Sequence, residues 1–473
     1  MITGVFFSAI TRYASVVVNL LVTIILARLI SPSDFGVVAI AMVFSTFFNM
    51  LSEAGIGPAV IQTRHLDGGN LRSLFTFTIF LGLFLTVLFY FSSNPISSFY
   101  SDKTLESIIK ILSISVLFRC ASIVPLNLLM KEKRFKTIAV YTLYSHILCG
   151  VIAIGCAYGG MGVYSLLVVP VLGSALLFGS YYKNYRIIPT LNPNLQPLKK
   201  IFYYSLYQFL FTVVNYFSRN FDKLVVGKVF GSENLGYYEK SYRLMMMPVG
   251  YLSNVISSVV QPIFAEYQDN KEWLAKKSLK IIEILALIGF PLSVLLYMSS
   301  TEVIITIFGN QWYGAVPAFK ILSISIGFQM IYSPQGAFFQ SANATKLMFY
   351  NGMITAALNI SSVLFGCFLF NSLSILCYGI VISYIVVFLV TYYFMCRYVF
   401  EIPFLRFLKT FNHSLSISGV LLLLIWLSDL FYDTHVLLIK LMIKFSLFCV
   451  VLLMFEYYKP TIRDFRKASG GVN

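Results

Sequence analysis

Ile201-Phe-Tyr-Tyr-Ser-Leu-Tyr-Gln-Phe-Leu-Phe-Thr-Val-Val-Asn-Tyr-Phe-Ser-Arg-Asn-Phe-Asp-Lys-Leu-Val-Val-Gly-Lys-Val-Phe-Gly-Ser-Glu-Asn-Leu-Gly236 is the stretch on which the reading of this chain turns. Ser205, Gln208, Thr212, Asn215, Arg219 and Asp222 recur in steps of three and four, so all six share one face of a helix. Asn220 and Lys223 sit beside that face. The run is long enough to cross a bilayer and ends in a predicted turn, Phe230–Gly236. The same object occurs two hundred residues earlier. Ser8, Arg12, Ser15 and Asn19 form a stripe, followed by the turn Ile30-Ser-Pro-Ser-Asp-Phe-Gly36. Ser8 aligns with Gln208, Arg12 with Thr212, Ser15 with Asn215, Asn19 with Arg219, Arg28 with Lys228 and Gly36 with Gly236. The chain reads as two copies of one membrane unit, each opening with a polar-faced helix. That pattern implies two halves facing each other across a wet cavity.

Composition sets the class. The 473 residues are 58% hydrophobic and 11% charged, where a soluble domain carries about 25% charged residues. The expected fold is therefore all-α and membrane-integral, with about fourteen transmembrane helices by the count of apolar runs of roughly 20 residues. The net charge of +16 does not point to nucleic acid, because Lys and Arg collect in every second connection. Lys131, Lys133, Arg134 and Lys136 mark one such connection, and Lys271, Lys276, Lys277 and Lys280 another. The alternate connections, such as 31–35, 157–162 and 308–316, are nearly bare, with Lys103 the main exception. This is the positive-inside pattern, and it predicts that both termini are cytoplasmic. The start lacks the basic n-region and small-residue cleavage site of a signal peptide. The seven cysteines form no CxxC pair, so no disulfide framework or metal site is expected.

The second unit repeats the first along its length. Lys110-Ile-Leu-Ser-Ile-Ser-Val116 returns as Lys320-Ile-Leu-Ser-Ile-Ser-Ile326, with Gln329 where Arg119 stood. The predicted layout is an N-terminal six-helix lobe over 1–184, a cytoplasmic linker over 185–200, a C-terminal six-helix lobe over 201–398, and two accessory helices with a cytoplasmic tail over 399–473. Six spans is an even number, so both copies insert the same way up, as parallel repeats about an axis along the membrane normal.

Charges inside apolar runs mark the candidate site. Arg12, Glu53, Arg119, Arg219, Asp222 and Lys223 would together cost on the order of 15 kcal/mol facing lipid, so the fold must shelter them. Arg12, Arg119 and Arg219, with Asn19, Asn215 and Lys223, are read as the lining of a mainly cationic chamber. Arginine suits a pyrophosphate, since its guanidinium binds two oxygens at once and stays charged. Glu53 and Asp222 are candidates for coupling to a proton or a sodium ion. The alternative is pairing among themselves, as Arg219 and Asp222 are one helical turn apart. Lys440 and Lys444, also one turn apart, are placed to snorkel toward the outer interface or to meet a lipid phosphate there. No phosphate-binding loop, GxSxG elbow or HExxH motif is present. Neither an enzyme nor a resident cofactor is expected.

Several of these stretches resemble a known family. Leu26-Ala-Arg-Leu-Ile-Ser-Pro-Ser-Asp-Phe-Gly36, Gly55-Ile-Gly-Pro-Ala-Val-Ile-Gln62, Asn220-Phe-Asp-Lys-Leu-Val-Val-Gly227, Leu235-Gly-Tyr-Tyr-Glu-Lys-Ser-Tyr-Arg-Leu244 and Met247-Pro248 are similar to motifs of Wzx-type O-antigen and exopolysaccharide flippases. These belong to the multidrug/oligosaccharidyl-lipid/polysaccharide exporter superfamily, and the colanic-acid-exporter-like branch is the most similar. The resemblance runs from residue 5 to about 395. It implies fourteen helices in two lobes plus an accessory pair, alternating access in the bacterial inner membrane, and an undecaprenyl-pyrophosphate-linked oligosaccharide as cargo. It also implies work beside a glycan polymerase and chain-length machinery. Cationic cavity residues are a family theme, which fits Arg12, Arg119 and Arg219. The start departs from many relatives, which carry lysines before the first span. Two other functions stay open on the residues: a drug-cation antiporter of the same superfamily, which the arginines disfavour, and a membrane-embedded glycan polymerase or ligase, which the short external loops disfavour.

Overall fold

A computed structural model describes residues 2–52, 57, 60, 68–190, 196–267, 270–431 and 436–458, and no strand occurs among them. Among the described residues ten helices are long and apolar enough to span a bilayer, or eleven when one bent pair counts as a single span. The fold is that of an all-α membrane protein. The chain divides into two compact units, Met1–Gly236 and Tyr237–Asn473. Residues 201–236 thus open the second sequence repeat yet pack within the first unit.

The first unit begins with α1 (Ile2–Leu29) and α2 (Pro32–Ser52). Between them the helix is broken at Ser31. Its hydroxyl accepts from the Asp34 N–H (3.2 Å) and donates to the Asp34 carboxylate (2.8 Å). This is an N-cap, and Pro32 follows at the first helical position, where a missing N–H costs nothing. Then come α3 (Gly68–Tyr100), α4 (Lys103–Lys131), α5 (Phe135–Tyr158) and α6 (Val168–Tyr185). Lipid supplies no hydrophobic drive for helices to associate, so close approach at small residues matters. A Cβ on Gly82 of α3 would sit 2.8 Å from the Cβ of Cys120 on α4. One on Gly150 of α5 would sit 2.5 Å from a methyl of Val22 on α1.

The longest helical stretch, α7 (Gln196–Glu266), is two arms joined at one residue. Gly231 has φ 82° and ψ 174°, a region essentially reserved to glycine. The seven-residue turn expected over 230–236 is thus a single-residue break. Helical geometry resumes at Ser232 because nothing beyond the glycine needs to leave it.

The second unit continues with α8 (Lys271–Met298) and α9 (Ser300–Phe308). Next come α10 (Val316–Ser323), α11 (Ile326–Tyr332) and α12 (Gln335–Ser341), followed by α13 (Thr345–Leu364) and α14 (Leu373–Phe394). The chain ends with α15 (Phe404–Lys409), α16 (Asn412–Phe431) and α17 (Leu437–Tyr458). Its main core is aromatic. Phe407 packs on Tyr392 (ring centroids 4.6 Å apart), Phe404 and Phe411, and the Tyr392 hydroxyl donates to the Ile331 carbonyl (2.5 Å).

The near-identical hexapeptides fold differently. Lys110–Ser115 lies inside the continuous α4, whereas Lys320–Ser325 spans a break, and the two segments flanking it are bent by 52°. The following residue pair explains this. Leu117 of the first copy is replaced by Gly327, and glycine costs a helix interior about 1 kcal/mol relative to alanine. Gly327 lies against α8, where a Cβ on Gly289 would be 3.0 Å from the Gly327 Cα. Its N–H donates to the Ser293 hydroxyl (2.8 Å). Ser293→Ala would leave that buried N–H without its acceptor. We expect a loss of about 1–3 kcal/mol, read as a lower melting temperature in detergent, with the same change at an exposed serine such as Ser416 as the control.

Candidate functional site

The first arm of α7 runs antiparallel along α2, and the contacts tighten toward Gly236. Near the far end, Phe47 stacks on Tyr216 and lies 4.9 Å from Phe217, and the Tyr216 hydroxyl donates to the Val43 carbonyl (2.5 Å). Farther along, a Cβ on Gly227 would be 3.1 Å from Ile40. At the near end two backbones meet. A Cβ on Gly36 would lie 2.6 Å from the Ser232 carbonyl carbon and closer still to its oxygen. A Cβ on Gly236 would lie 2.9 Å from the Pro32 carbonyl carbon, again closer to the oxygen. The two contacts are the same contact repeated: residues 36 and 32 meet residues 232 and 236, which occupy the aligned positions two hundred residues on. Only hydrogen on both α-carbons permits this approach, which Cα–H to carbonyl contacts reinforce.

The junction between α3 and α4 backs this seal. The Tyr100 hydroxyl donates to the Leu224 carbonyl (3.1 Å). The Lys228 ammonium donates to the Phe99 carbonyl and lies 4.8 Å from the Phe99 ring. Asp102 caps α4 by accepting from the Thr104 N–H (2.9 Å), and its other oxygen accepts from the Ser232 hydroxyl (3.3 Å). Three segments, 31–36, 99–104 and 224–236, therefore lock one end of the first unit. Sequence reasoning aligned Gly36 with Gly236 but did not see that they touch. A glycine at the same repeat position in both copies was the available signal.

The expected lining residues are described in part. Arg119 on α4 and Arg219 on the first arm of α7 are exposed, as is Asn19 on α1. Asp222 and Lys223, the next turn after Arg219, are half-buried. Arg12 and Asn215 lie on described helices, but their side chains fall outside the described set, and Glu53 lies outside the described residues altogether. Among the described residues no cluster of His, Cys, Asp and Glu could hold a metal ion.

In the second unit, Lys444 corrects an expectation. It neither snorkels nor offers its charge to a lipid phosphate, for it is only 2% exposed. Its ammonium is paired with Glu302 (2.8 Å) and Asp429 (3.0 Å) and donates to the Met298 carbonyl (2.9 Å). Helical spacing placed Lys444 on a face of α17 but could not reveal which residues oppose that face. Lys440, one turn earlier, is half-buried. At the head of this unit the second arm of α7 is fitted to a 3-10 helix, Asn310–Ala315. Tyr237 lies edge-on to Trp312, Ser241 donates to the Ala315 carbonyl (3.0 Å), and a Cβ on Gly314 would meet the Tyr237 ring at 2.5 Å.

A "Lipopolysaccharide biosynthesis protein WzxC" of Escherichia coli is 24% identical over 77% of this chain and 75% of its own length. An "Uncharacterized membrane protein in cps region" of Klebsiella pneumoniae is 24% identical over 90% and 88%. Among solved structures, "Lipid II flippase MurJ, inward closed conformation" superposes with a TM-score of 0.76 at 20% identity, covering 97% of this chain and all of that one. The fold is thus shared with that transporter. The model of a family described as "Polysaccharide biosynthesis protein" matches residues 25–317, more than half the chain, and the protein therefore belongs to that family.

Proposed function

We propose that this protein is a flippase. It carries lipid-linked oligosaccharide repeat units, on an undecaprenyl-pyrophosphate anchor, across the bacterial inner membrane by alternating access, for assembly of a surface polysaccharide. The observation that carries the reading is the reciprocal glycine contact. A seal made from equivalent positions of two repeats can close one end of a chamber and release it again, because at its centre it consists of backbone surfaces in contact. The family and the flippase fold support the same reading.

In this proposal the chain has fourteen spans: α1 and the two arms of α7 join the apolar helices already counted. Both termini are cytoplasmic, so the glycine seal is the outer gate. The repeat lobes are 1–184 and 201–398, with 399–473 as the accessory pair and tail. The pyrophosphate meets Arg12, Arg119 and Arg219, assisted by Asn19, Asn215 and Lys223. The polyprenyl tail stays in the bilayer. Binding of the anionic head group draws the inner ends together and strains the outer seal. Glu53 or Asp222 couples the cycle to a proton or sodium gradient, and Lys440 meets headgroup phosphate. The flipped unit is handed to a separate glycan polymerase and its chain-length machinery, so this chain performs no chemistry itself.

The test is complementation of a deletion strain with surface glycan and lipid-linked units measured together. The expected result is that deletion traps repeat units on the cytoplasmic face and that this chain releases them. If single units reach the surface without the chain and only polymer length is lost, the protein is a polymerase and the proposal fails. If glycan is normal and only drug susceptibility changes, it is an antiporter.

A further inference from the structure

The Lys444 site has no counterpart in the sequence repeat, and its construction is unusual for a membrane helix pair. Four helices meet at one ammonium: α8 through the Met298 carbonyl in its last turn, α9 through Glu302 in its first turn, α16 through Asp429 in its last turn, and α17 through Lys444 itself. An ammonium has three N–H donors, and three oxygens receive them here at 2.8–3.0 Å. The C-terminal end of α8 adds its partial negative charge. Glu302 is only 8% exposed, while the Asp429 side chain is 36% exposed, so the α16 side of the socket is the more open one.

The rest of the contact between this helix pair and α8 is apolar and repetitive. Leu287 and Leu295 of α8 pack with Ile417, Leu421 and Ile425 of α16 and Val451 of α17. Such faces give packing energy but no directional contact across the helices, since even the buried Ser414 and Ser418 on α16 donate to carbonyls of their own segment. In a bilayer they also lack the hydrophobic drive that would favour the closest fit. A lysine facing lipid is costly, and so is a lone carboxylate. Only one register removes all three charges from lipid at once.

We infer that Met298, Glu302 and Asp429 form a built ammonium socket, that Lys444 is the pin that fills it, and that this pin sets the register of the C-terminal helix pair on the second unit. The inference is independent of the flippase reading, because docking of the pair can be measured without transport.

The test uses the full chain purified in detergent. Lys444→Ala leaves the buried Glu302 carboxylate and the exposed Asp429 carboxylate facing a vacant ammonium-sized space. Its melting temperature is expected to fall on the order of 10 °C. Ethylammonium at millimolar concentration should restore most of that loss, while sodium and tetraethylammonium at equal ionic strength should not. Lys409→Ala, at an exposed lysine outside the socket, should melt like wild type and gain nothing from ethylammonium. A triple neutral variant, Lys444→Met with Glu302→Gln and Asp429→Asn, removes the uncompensated charge and should recover stability but no longer respond to ethylammonium. Three results would overturn the inference: Lys444→Ala melting like wild type, rescue equal for all cations, or Lys409→Ala showing the same rescue. If the socket behaves as expected while the complementation assay finds no flippase, the pin stands and only the proposed function falls.

Discussion

Gly36→Val should abolish glycan export while the protein still inserts and accumulates at wild-type levels. A side chain there has nowhere to go, since the atoms it would meet are the Ser232 carbonyl carbon and oxygen and the Gly236 nitrogen, all backbone. A flexible neighbour could yield by rotating, whereas these can yield only by parting the two helices. The seal should therefore open rather than deform. If the collision removes about 3 kcal/mol from the sealed state, the population ratio moves about a hundredfold, enough to hold a two-state transporter largely in one state. Gly236→Val should act alike, because its obstacle is the Pro32 carbonyl. The double variant should be no worse than either single one, since one broken seal suffices, and such non-additivity is the sign of a shared contact. The measurement is export, with the amount of protein in the membrane determined beside it. Wild-type export with Gly36→Val would end the idea that this contact gates anything.

Arg219→Ala is expected to cut export at least tenfold and to trap lipid-linked units on the cytoplasmic face. The argument rests on its exposure on the first arm of α7 and on the chemistry of a guanidinium, which grips a pyrophosphate through two parallel bonds. Arg219→Lys should recover only part of the loss, because an ammonium is a point charge without that fork. The competing reading is that Arg219 merely neutralises Asp222, one turn on. The two separate cleanly. If Arg219 serves Asp222, removing both charges in Arg219→Ala/Asp222→Asn restores export; if it serves the cargo, the double variant stays inactive. Arg12→Ala, on the aligned stripe of α1, should behave as Arg219→Ala does. Normal export by both arginine variants would move the cargo path elsewhere.

Much of this was legible because membrane helices write their constraints plainly. Apolar runs and the alternation of basic connections gave the class, and the stripe at 205–222 with its echo at 8–19 gave the duplication. Ser31 and Gly231, aligned positions, are where the helices break, as their turn chemistry suggests. Other features depend on residues that no single segment contains. Lys110–Ser115 and Lys320–Ser325 are the same six residues, and their different backbones follow from Gly327, Ser293 and Gly289. From the sequence Lys444 reads as an interface lysine because its partners lie 142 and 15 positions away, Glu302 on α9 and Asp429 on α16. Spacing tells which face a residue occupies; it is silent on what that face meets.

The reciprocal contact at Gly36 and Gly236 also speaks to ancestry. Two identical chains related by a two-fold axis would make this same pair of contacts, residue 36 of each against residue 32 of the other, as any isologous dimer interface does. A fused gene keeps the contact but releases each half from having to serve both sides with one sequence. The broken helix after Lys320 and the lysine socket at Glu302 are changes that a symmetric homodimer would have been forced to make twice. The contact at Gly36 and Gly236 is thus the one a symmetric pair would share, while the lysine socket lies in the second unit, where one copy can change without the other.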